Sequence, residues 1–546
     1  MPAIDRRSLL KGVGAVGASS LVEGTPGLAA SARKQPNIVL IVSDQERSPG
    51  DLPTGFTRRH FDRLRERAVS FTQYHTPTAP CAPARAVLYT GLHTQKNGIV
   101  ANPGSGLTRD LDPRIPTLGS YLRSAGYRTF YKGKWHLSHI AASREGPLYR
   151  TAEDALEPYG FSQFNYHGDP TGHAWSGLRE DYAIACEAAD LIGRLAISDA
   201  PWFVAVNFVN PHDIMFFDAT GEQHATRAVR NLISPMRGAP SAPPFDRRWN
   251  LPLPASFGRD DLANKPETQR LEMEYLDLVY GHMPLSNEQA WQRFQDYYLN
   301  CLTHLDANLG IVLDALTRHR MIDRTMVIYT SDHGERGGAH GLRQKGGDMY
   351  RENLRVPLLV SHPDGARGAE TTSLASSLDI VPTIAAFAGG WDRSDHAFPG
   401  VSLAPVVGRA ASKTARDHRG ILFNYEVRMR DSMSEARARL TGKPLPDGSP
   451  PDRILMRGIH TGNYKFARYF RPDEHHLPQS RSELRERNDL ELYDVKADPD
   501  ELINLADDAA HSGRVEALNR QLNDLIGVEV GTDDGTVLAA AVGTPA

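Results

Sequence analysis

The sequence predicts an α/β protein: a large, mostly parallel sheet flanked by helices, then a smaller C-terminal α+β domain carrying an antiparallel sheet. Three observations predict this. Segments 37–42, 127–131, 202–208 and 325–329 are almost continuously apolar, as strands are when helices cover both faces of a parallel sheet. Each runs directly into polar residues that can do chemistry: Asp44-Gln45, Lys134 with His136, His212, and Asp332-His333. Ligands of open α/β sheets bind beyond the carboxyl ends of the strands, so four strands deliver titratable groups to one place. Near Arg416 the pattern changes, and 420–426 and 460–470 alternate as antiparallel strands do.

In chain order, the first residues read as an address. Asp5-Arg6-Arg7-Ser8-Leu9-Leu10-Lys11 precedes a weakly apolar, Gly/Ala-rich run, and Ala30-Ser31-Ala32 offers small residues for cleavage. The paired arginines resemble a bacterial twin-arginine export signal over 1–32, which predicts a periplasmic or secreted product cut after Ala32. No apolar run approaches the ~20 residues a membrane span needs, so no transmembrane segment is expected.

The window Cys81-Ala82-Pro83-Ala84-Arg85-Ala86-Val87-Leu88-Tyr89-Thr90-Gly91 follows. Pro83 suits a first helical turn, where its missing N–H has no intrahelical partner, and Gly91 suits the helix end. The positive N-terminal end of that helix points at Cys81 and at any anion beside it, and Arg85 adds a fixed charge one turn on. Segment 115–125 has one apolar face and stops at Gly126. Segment 297–316 is strongly amphipathic through Leu302, Leu305, Leu309, Val312, Leu313 and Leu316, with His304 and Asp306 as surface or packing residues. Stretch 214–286 is rich in Pro, Arg and Asp with little period, and reads as a long insertion over the site. A Pro/Gly/Arg-rich loop, 427–455, is expected to line the cleft too. Glu491-Leu492-Tyr493-Asp494 reads as a strand, 515–525 as a closing helix, and the tail from Gly531 as disordered. The expected domains are 33–415 and 416–530, between the signal and the tail of 531–546.

Composition narrows the classes. The 546 residues are 40% hydrophobic and 23% charged, ample for a large core. A net charge of −4 with no long basic run argues against nucleic acid as a partner, so an anionic substrate has to meet local positive charge. Three cysteines, Cys81, Cys186 and Cys301, exclude a disulfide framework. Asp44, Gln45 and Asp332 are hard oxygen ligands suited to Ca²⁺ or Mg²⁺, whereas His333 adds a nitrogen that shifts the balance toward Mn²⁺.

Cys81-x-Pro-x-Arg85 resembles the modification motif of the type I sulfatases, and the likeness extends along the chain. It runs through Ser43-Asp44-Gln45, Gly133-Lys134-Trp135-His136, Asn210-Pro211-His212, Thr330-Ser331-Asp332-His333-Gly334 and Lys345 ahead of Arg355-Val356-Pro357, to Leu492-Tyr493-Asp494. The resemblance implies the large mixed sheet of the alkaline-phosphatase-like superfamily and a sulfuric ester hydrolase. It implies that a formylglycine-generating enzyme oxidises Cys81 to formylglycine, whose hydrate attacks sulfur. Asp44, Gln45, Cys81, Asp332 and His333 then hold one divalent metal, with Ca²⁺ first and Mn²⁺ or Mg²⁺ as alternatives, and Asp332 takes the attacking hydroxyl's proton. Arg85 and Lys134 hold the hydrate and the sulfate oxygens, and His136 deprotonates the intermediate to expel sulfate. His212 and Lys345 bind the ester oxygen and protonate the leaving group, and Asn102 contacts the anion. The substrate is a small-molecule or carbohydrate sulfate ester.

Gln45 and His333 depart from many sulfatases, which carry aspartate and asparagine there. They are similar to the phosphonate-monoester-hydrolase and choline-sulfatase side of the superfamily, making phosphonate monoester or phosphodiester hydrolysis the alternative. Left unmodified at Cys81, the chain would instead be a non-catalytic anion-binding protein.

Overall fold

The computed structural model describes residues 35–103, 108–140, 155–164, 166, 168–227, 234–389, 398–427 and 453–535. Residues 1–32, read as a signal, and most of the 427–455 loop lie outside the described residues.

Seven strands form the main sheet: β1 (Asn37–Asp44), β2 (Val69–His75), β3 (Arg128–Gly133), β4 (Trp202–Pro211), β5 (Thr325–Ser331), β6 (Leu358–Ser361) and β7 (Ala369–Ser376). Their order is β3-β4-β1-β5-β6-β2-β7. Only β6 runs antiparallel to its neighbours, so the sheet is mixed and mostly parallel. The sequence-read strands are the four consecutive ones β3-β4-β1-β5, each reaching further toward its polar end than its apolar run indicated. β1 lies between β4 and β5, with Ile41 opposite Val206 and Tyr329. That register brings the Asp44-Gln45 and Asp332-His333 corners side by side.

The unbroken apolar run of β1 has a direct cause. Val39 and Ile41 enter one core with residues of α2 (Ser176–Leu195) and α4 (Glu288–Arg318), while Ile38, Leu40 and Val42 enter a second core with residues of α1 (Cys81–Thr90). Both faces are dry, so the central positions Ile38 to Val42 are all apolar, and polar residues stand only at the strand's ends. Each such side chain contributes about 1.5–3 kcal/mol on burial.

Three strands escaped the sequence reading. β6 is four residues long, and β2 and β7 carry Gln73, Thr72, Glu370 and Thr371 among their apolar residues. The 115–125 helix is shorter, Leu118–Ser124, because Thr117 and Ser120 form a capping box that fixes its start. α4 begins at Glu288, nine residues before the expected 297, where Asn287 accepts a hydrogen bond from the Ala290 N–H at 3.1 Å. Asp306 on α4 is a packing residue as read, and its carboxylate accepts the N–H of His60 and Phe61 at the start of another helix. The 214–286 stretch is a correction, for it contains a fourteen-residue helix, α3 (Glu267–Tyr280). Its buried face mixes Leu276 and Val279 with Gln269 and Glu272, and that mixture hid the period.

The second sheet is antiparallel, in the order β11-β10-β9-β8: β8 (Ile421–Tyr425), β9 (Leu455–His460), β10 (Tyr464–Phe470) and β11 (Asp489–Asp494). The expected single strand over 460–470 is the end of β9 plus β10, joined through a turn at Thr461-Gly462-Asn463. One face carries α5 (Ser512–Glu529), longer than the 515–525 expected. The other packs Phe423, Tyr425 and Ala467 against Met349, Leu354 and Leu374 of the main body. A buried ion network ties the two together: Arg416 reaches Asp379 at 2.7 Å and Glu529 at 2.9 Å, and Glu529 reaches His93 at 2.8 Å. Of the tail read as disordered, residues 531–535 are described, and buried Asp533 there pairs with Arg457 at 2.9 Å.

Candidate active site

The carboxyl ends of β1, β3, β4 and β5 and the N-terminus of α1 converge on one buried cluster. α1 starts at Cys81 and ends at Gly91, whose φ of 69° is the left-handed cap expected of glycine there. All ten of its residues are buried, which presses its first turn into the site. Cys81 Sγ lies 3.2 Å from His333 Nε2 and 3.7 Å from an Asp44 oxygen. Ligand atoms of Asp44, Cys81, Asp332 and His333 all fall within 4.8 Å of one another, and all four residues are buried.

Positive charge encloses this cluster. Lys134 Nζ sits 2.6 Å from Asp44 Oδ2, and Arg85 donates through Nε to Asp332 Oδ2 at 3.0 Å. Arg85 also donates to the Lys134 carbonyl at 2.9 Å and to Asn207 Oδ1 at 3.1 Å. Lys345 donates to Gln45 Oε1 at 2.5 Å, and the Gln45 amide nitrogen donates to Glu335 Oε2. Gln45 therefore stands beside the cluster with its side-chain oxygen held by Lys345.

Burial alone would raise the Asp44 carboxyl, but Lys134, His212, Arg85 and His333 overcome it and hold the group well below the usual carboxylate range. Burial and Asp44 push the Cys81 thiol up, while Lys134, Lys345 and His333 prevail and bring it below its ordinary value. Burial, Lys134 and Lys345 depress His212, and burial, Lys134 and Arg85 depress His136, so both imidazoles are neutral. Their Nδ1 atoms find no hydrogen-bond partner among the described residues. Asn102 Oδ1 accepts the Ala82 N–H at 3.1 Å, which places it at the N-terminus of α1.

The backbone around Lys134 and His136 is tightly specified. Gly133 (φ 90°) packs so closely on Asn207 that an added Cβ would stand 1.9 Å from its carbonyl oxygen. His136 itself has a φ of 60°, a left-handed conformation costing a non-glycine residue about 1–2 kcal/mol. Asp169 holds it there, its two oxygens accepting the N–H groups of Trp135 at 2.9 Å and His136 at 2.5 Å. Gly172 lies against the His212 ring, where a Cβ would come within 2.5 Å.

Every residue expected at the site is thus at or beside one cluster. Asp169, Glu335 and Asn207 were missed. Asp169 lies 33 residues beyond His136 in a Gly/Pro loop, and Asn207 is inside a buried strand, so neither has a spacing signal. Glu335 was findable, standing two residues after His333. From the insertion, Met215 Sδ touches Lys345 Nζ at 3.5 Å.

A parallel-rich sheet whose strand ends gather a cysteine, two carboxylates and three cations defines a hydrolase site for an anionic ester. Residues 36–390 match the sequence profile of the sulfatase family, and the chain belongs to that family of sulfuric ester hydrolases. It is 28% identical to the uncharacterized sulfatase YidJ of Escherichia coli (strain K12), over 87% of this chain and 84% of that one. It is 26% identical to a choline-sulfatase of Rhizobium meliloti (strain 1021), over 87% and 83%. In fold it resembles the phosphonate monoester hydrolase of Agrobacterium radiobacter, with a TM-score of 0.62, 22% identity, and 90% of this chain and 95% of that one covered.

Proposed function

We propose that the protein hydrolyses sulfate esters with a nucleophile made from Cys81, assisted by a divalent metal. The observation that carries this reading is the convergence of Cys81, Asp44, Asp332 and His333 within 4.8 Å, enclosed by Arg85 and Lys134.

The donor set fits a divalent cation. Two buried carboxylates and an imidazole face one point, and the His333 Nδ1 hydrogen is donated to the Gly334 carbonyl at 2.9 Å, which turns Nε2 toward Cys81 as the ligand nitrogen. Asp44, Asp332, His333 and the modified Cys81, with Gln45 beside them, would hold the ion, which when bound polarises sulfate oxygens and lowers the pKa of a hydroxyl. Ca²⁺ is the first choice and Mn²⁺ the second. Formylglycine, made by a formylglycine-generating enzyme, supplies as its hydrate the attacking hydroxyl.

The chain's own residues do the rest. Arg85 and Lys134 bind sulfate oxygens and balance charge that builds on them. Asp332 accepts the proton of the attacking group. Neutral His136, with an unpartnered Nδ1, accepts the proton whose removal releases sulfate. Lys345 and His212 bind the ester oxygen, Lys345 returns a proton to the leaving group, and Asn102 adds an amide contact to the anion. The substrate is a small-molecule or carbohydrate sulfate ester, read by the insertion that brings Met215 to Lys345.

Phosphonate monoester or phosphodiester hydrolysis is the second reading, favoured by Gln45 and His333 and by the fold shared with a phosphonate monoester hydrolase. Comparing kcat/KM for matched sulfate and phosphonate esters on the metal-loaded enzyme decides between them: sulfate preference supports the first reading, phosphonate preference the second. Arg6-Arg7 would direct export of the folded protein, and no helix of the described residues is long and apolar enough to cross a membrane. Replacing both arginines with lysine should retain the protein in the cytoplasm, and normal export of that form would refute the signal.

A further inference from the structure

A cavity of about 620 Å³ opens where β2 and the edge strand β7 meet the β9–β10 turn and the loop after β11. It shares no lining residue with the Cys81 cluster. Its acids and arginines are already satisfied. Glu501 pairs with Lys465 at 2.5 Å, and Asp417 accepts the N–H groups of Thr414 at 2.8 Å and Leu374 at 3.2 Å. Arg355 holds Asp51 and Arg351 reaches Asp500 at 2.9 Å.

What remains unsatisfied describes a ligand. His75 lines the floor at 1% exposure, and neither of its ring nitrogens has a hydrogen-bond partner among the described residues. His460, its ring centre 5.0 Å away, donates from Nδ1 to the Tyr464 carbonyl at 3.3 Å, so Nε2 is left as an acceptor. Burial, with His460, Lys465 and Arg355 close by, holds His75 well below the usual histidine range, and burial and Lys465 push His460 down to about 3. Both rings are therefore neutral. A neutral imidazole with two unpartnered nitrogens keeps one donor and one acceptor, His460 Nε2 adds an acceptor beside it, and a hydroxyl matches both kinds of group where a bare anion matches only a donor. At the mouth, exposed Lys413 and Lys496 have no ion-pair partner among the described residues. Leu374, Val495 and Pro499 give the wall an apolar portion. The volume is in the range of small-molecule sites and far larger than a tetrahedral oxyanion needs.

We propose that this cavity is an accessory binding site for an anionic saccharide, its sugar hydroxyls over His75 and His460 and its carboxylate or sulfate at Lys413 and Lys496. The site stands apart from the catalytic reading and holds whether or not Cys81 is modified.

Digalacturonate is a suitable probe because it carries carboxylates on sugar rings and no sulfate ester. Calorimetric titration of the full-length protein should show it binding, with neutral galactobiose and inorganic sulfate both clearly weaker. The exposed pair K413A/K496A should weaken digalacturonate by about tenfold, as loss of two partly screened charge contacts does, while kcat/KM on a sulfate ester stays at the wild-type value. His75→Phe, which keeps the ring against Phe423, should weaken it as well. No binding by the wild type, undiminished binding by K413A/K496A, or inorganic sulfate or galactobiose binding as tightly as digalacturonate would each overturn the assignment.

Discussion

Asp169 touches no substrate in the proposed chemistry, yet its loss should disable the enzyme. Its two oxygens hold the Trp135 and His136 N–H groups and keep His136 at a φ of 60°. A hydrogen bond to a charged acceptor contributes about 1.5–3 kcal/mol. Burial pushes the Asp169 carboxyl up against the pull of those N–H groups, so the lower end applies and the pair contributes about 3 kcal/mol. That exceeds the roughly 1–2 kcal/mol cost of the left-handed residue, and without Asp169 the segment is free to relax and withdraw Lys134 and His136. At about 1.4 kcal/mol per tenfold, Asp169→Ala should lower kcat/KM on 4-nitrophenyl sulfate by about 100-fold. Asp169→Asn, which keeps one acceptor, should lower it by about tenfold and so give partial rescue. The fall should lie in kcat more than in KM, with a melting transition still present. Asp169→Ala retaining kcat/KM within about twofold of wild type, or keeping His136 left-handed in its own structure, would refute the reasoning.

Cys81→Ala should abolish hydrolysis while leaving the fold intact, and Cys81→Ser should fail to turn over repeatedly, because a serine ester lacks the second hydroxyl that expels sulfate; steady-state assays of both variants check this. Chelation should remove activity, and Ca²⁺ or Mn²⁺ should restore it. A site with one imidazole in place of a carboxylate should hold Ca²⁺ less tightly than an all-oxygen site, which a metal titration of recovered activity measures. His304 on α4 accepts from the side-chain amides of Asn210 at 3.2 Å and Asn308 at 3.3 Å, and burial pushes it down to about 4. Its folded pKa lies below its unfolded value of about 6.5, so the unfolded chain binds more protons between them and stability falls as pH drops from about 6.5 to 4. His304→Gln should flatten that part of the stability–pH curve by about 2 to 3 kcal/mol, read from denaturant midpoints.

The centre of the fold was legible because its strands are dry on both faces and therefore spell themselves as apolar runs, with the reactive residues at their ends. β2 and β7 were not legible, since Gln73 and Glu370 on strands away from the centre break the apolar signal. α3 was hidden by Gln269 and Glu272, which are buried because they have partners elsewhere: Gln269 donates to Glu491, and Glu272 pairs with Arg336 at 2.6 Å. Such partnerships are long-range and leave no local period. The same holds at the site. Residues adjoining the sequence motifs could be read, whereas Asp169 and Asn207 act through contacts that only folding creates.

The central claim is that Cys81 becomes an aldehyde that does the chemistry. Mass spectrometry of the peptide spanning residues 81–85, on protein made in a host with formylglycine-generating activity, tests it most directly. The account predicts the aldehyde mass and a hydrazine adduct, with specific activity on a sulfate ester proportional to the aldehyde fraction. A fully alkylatable thiol in protein that still hydrolyses sulfate esters would contradict it.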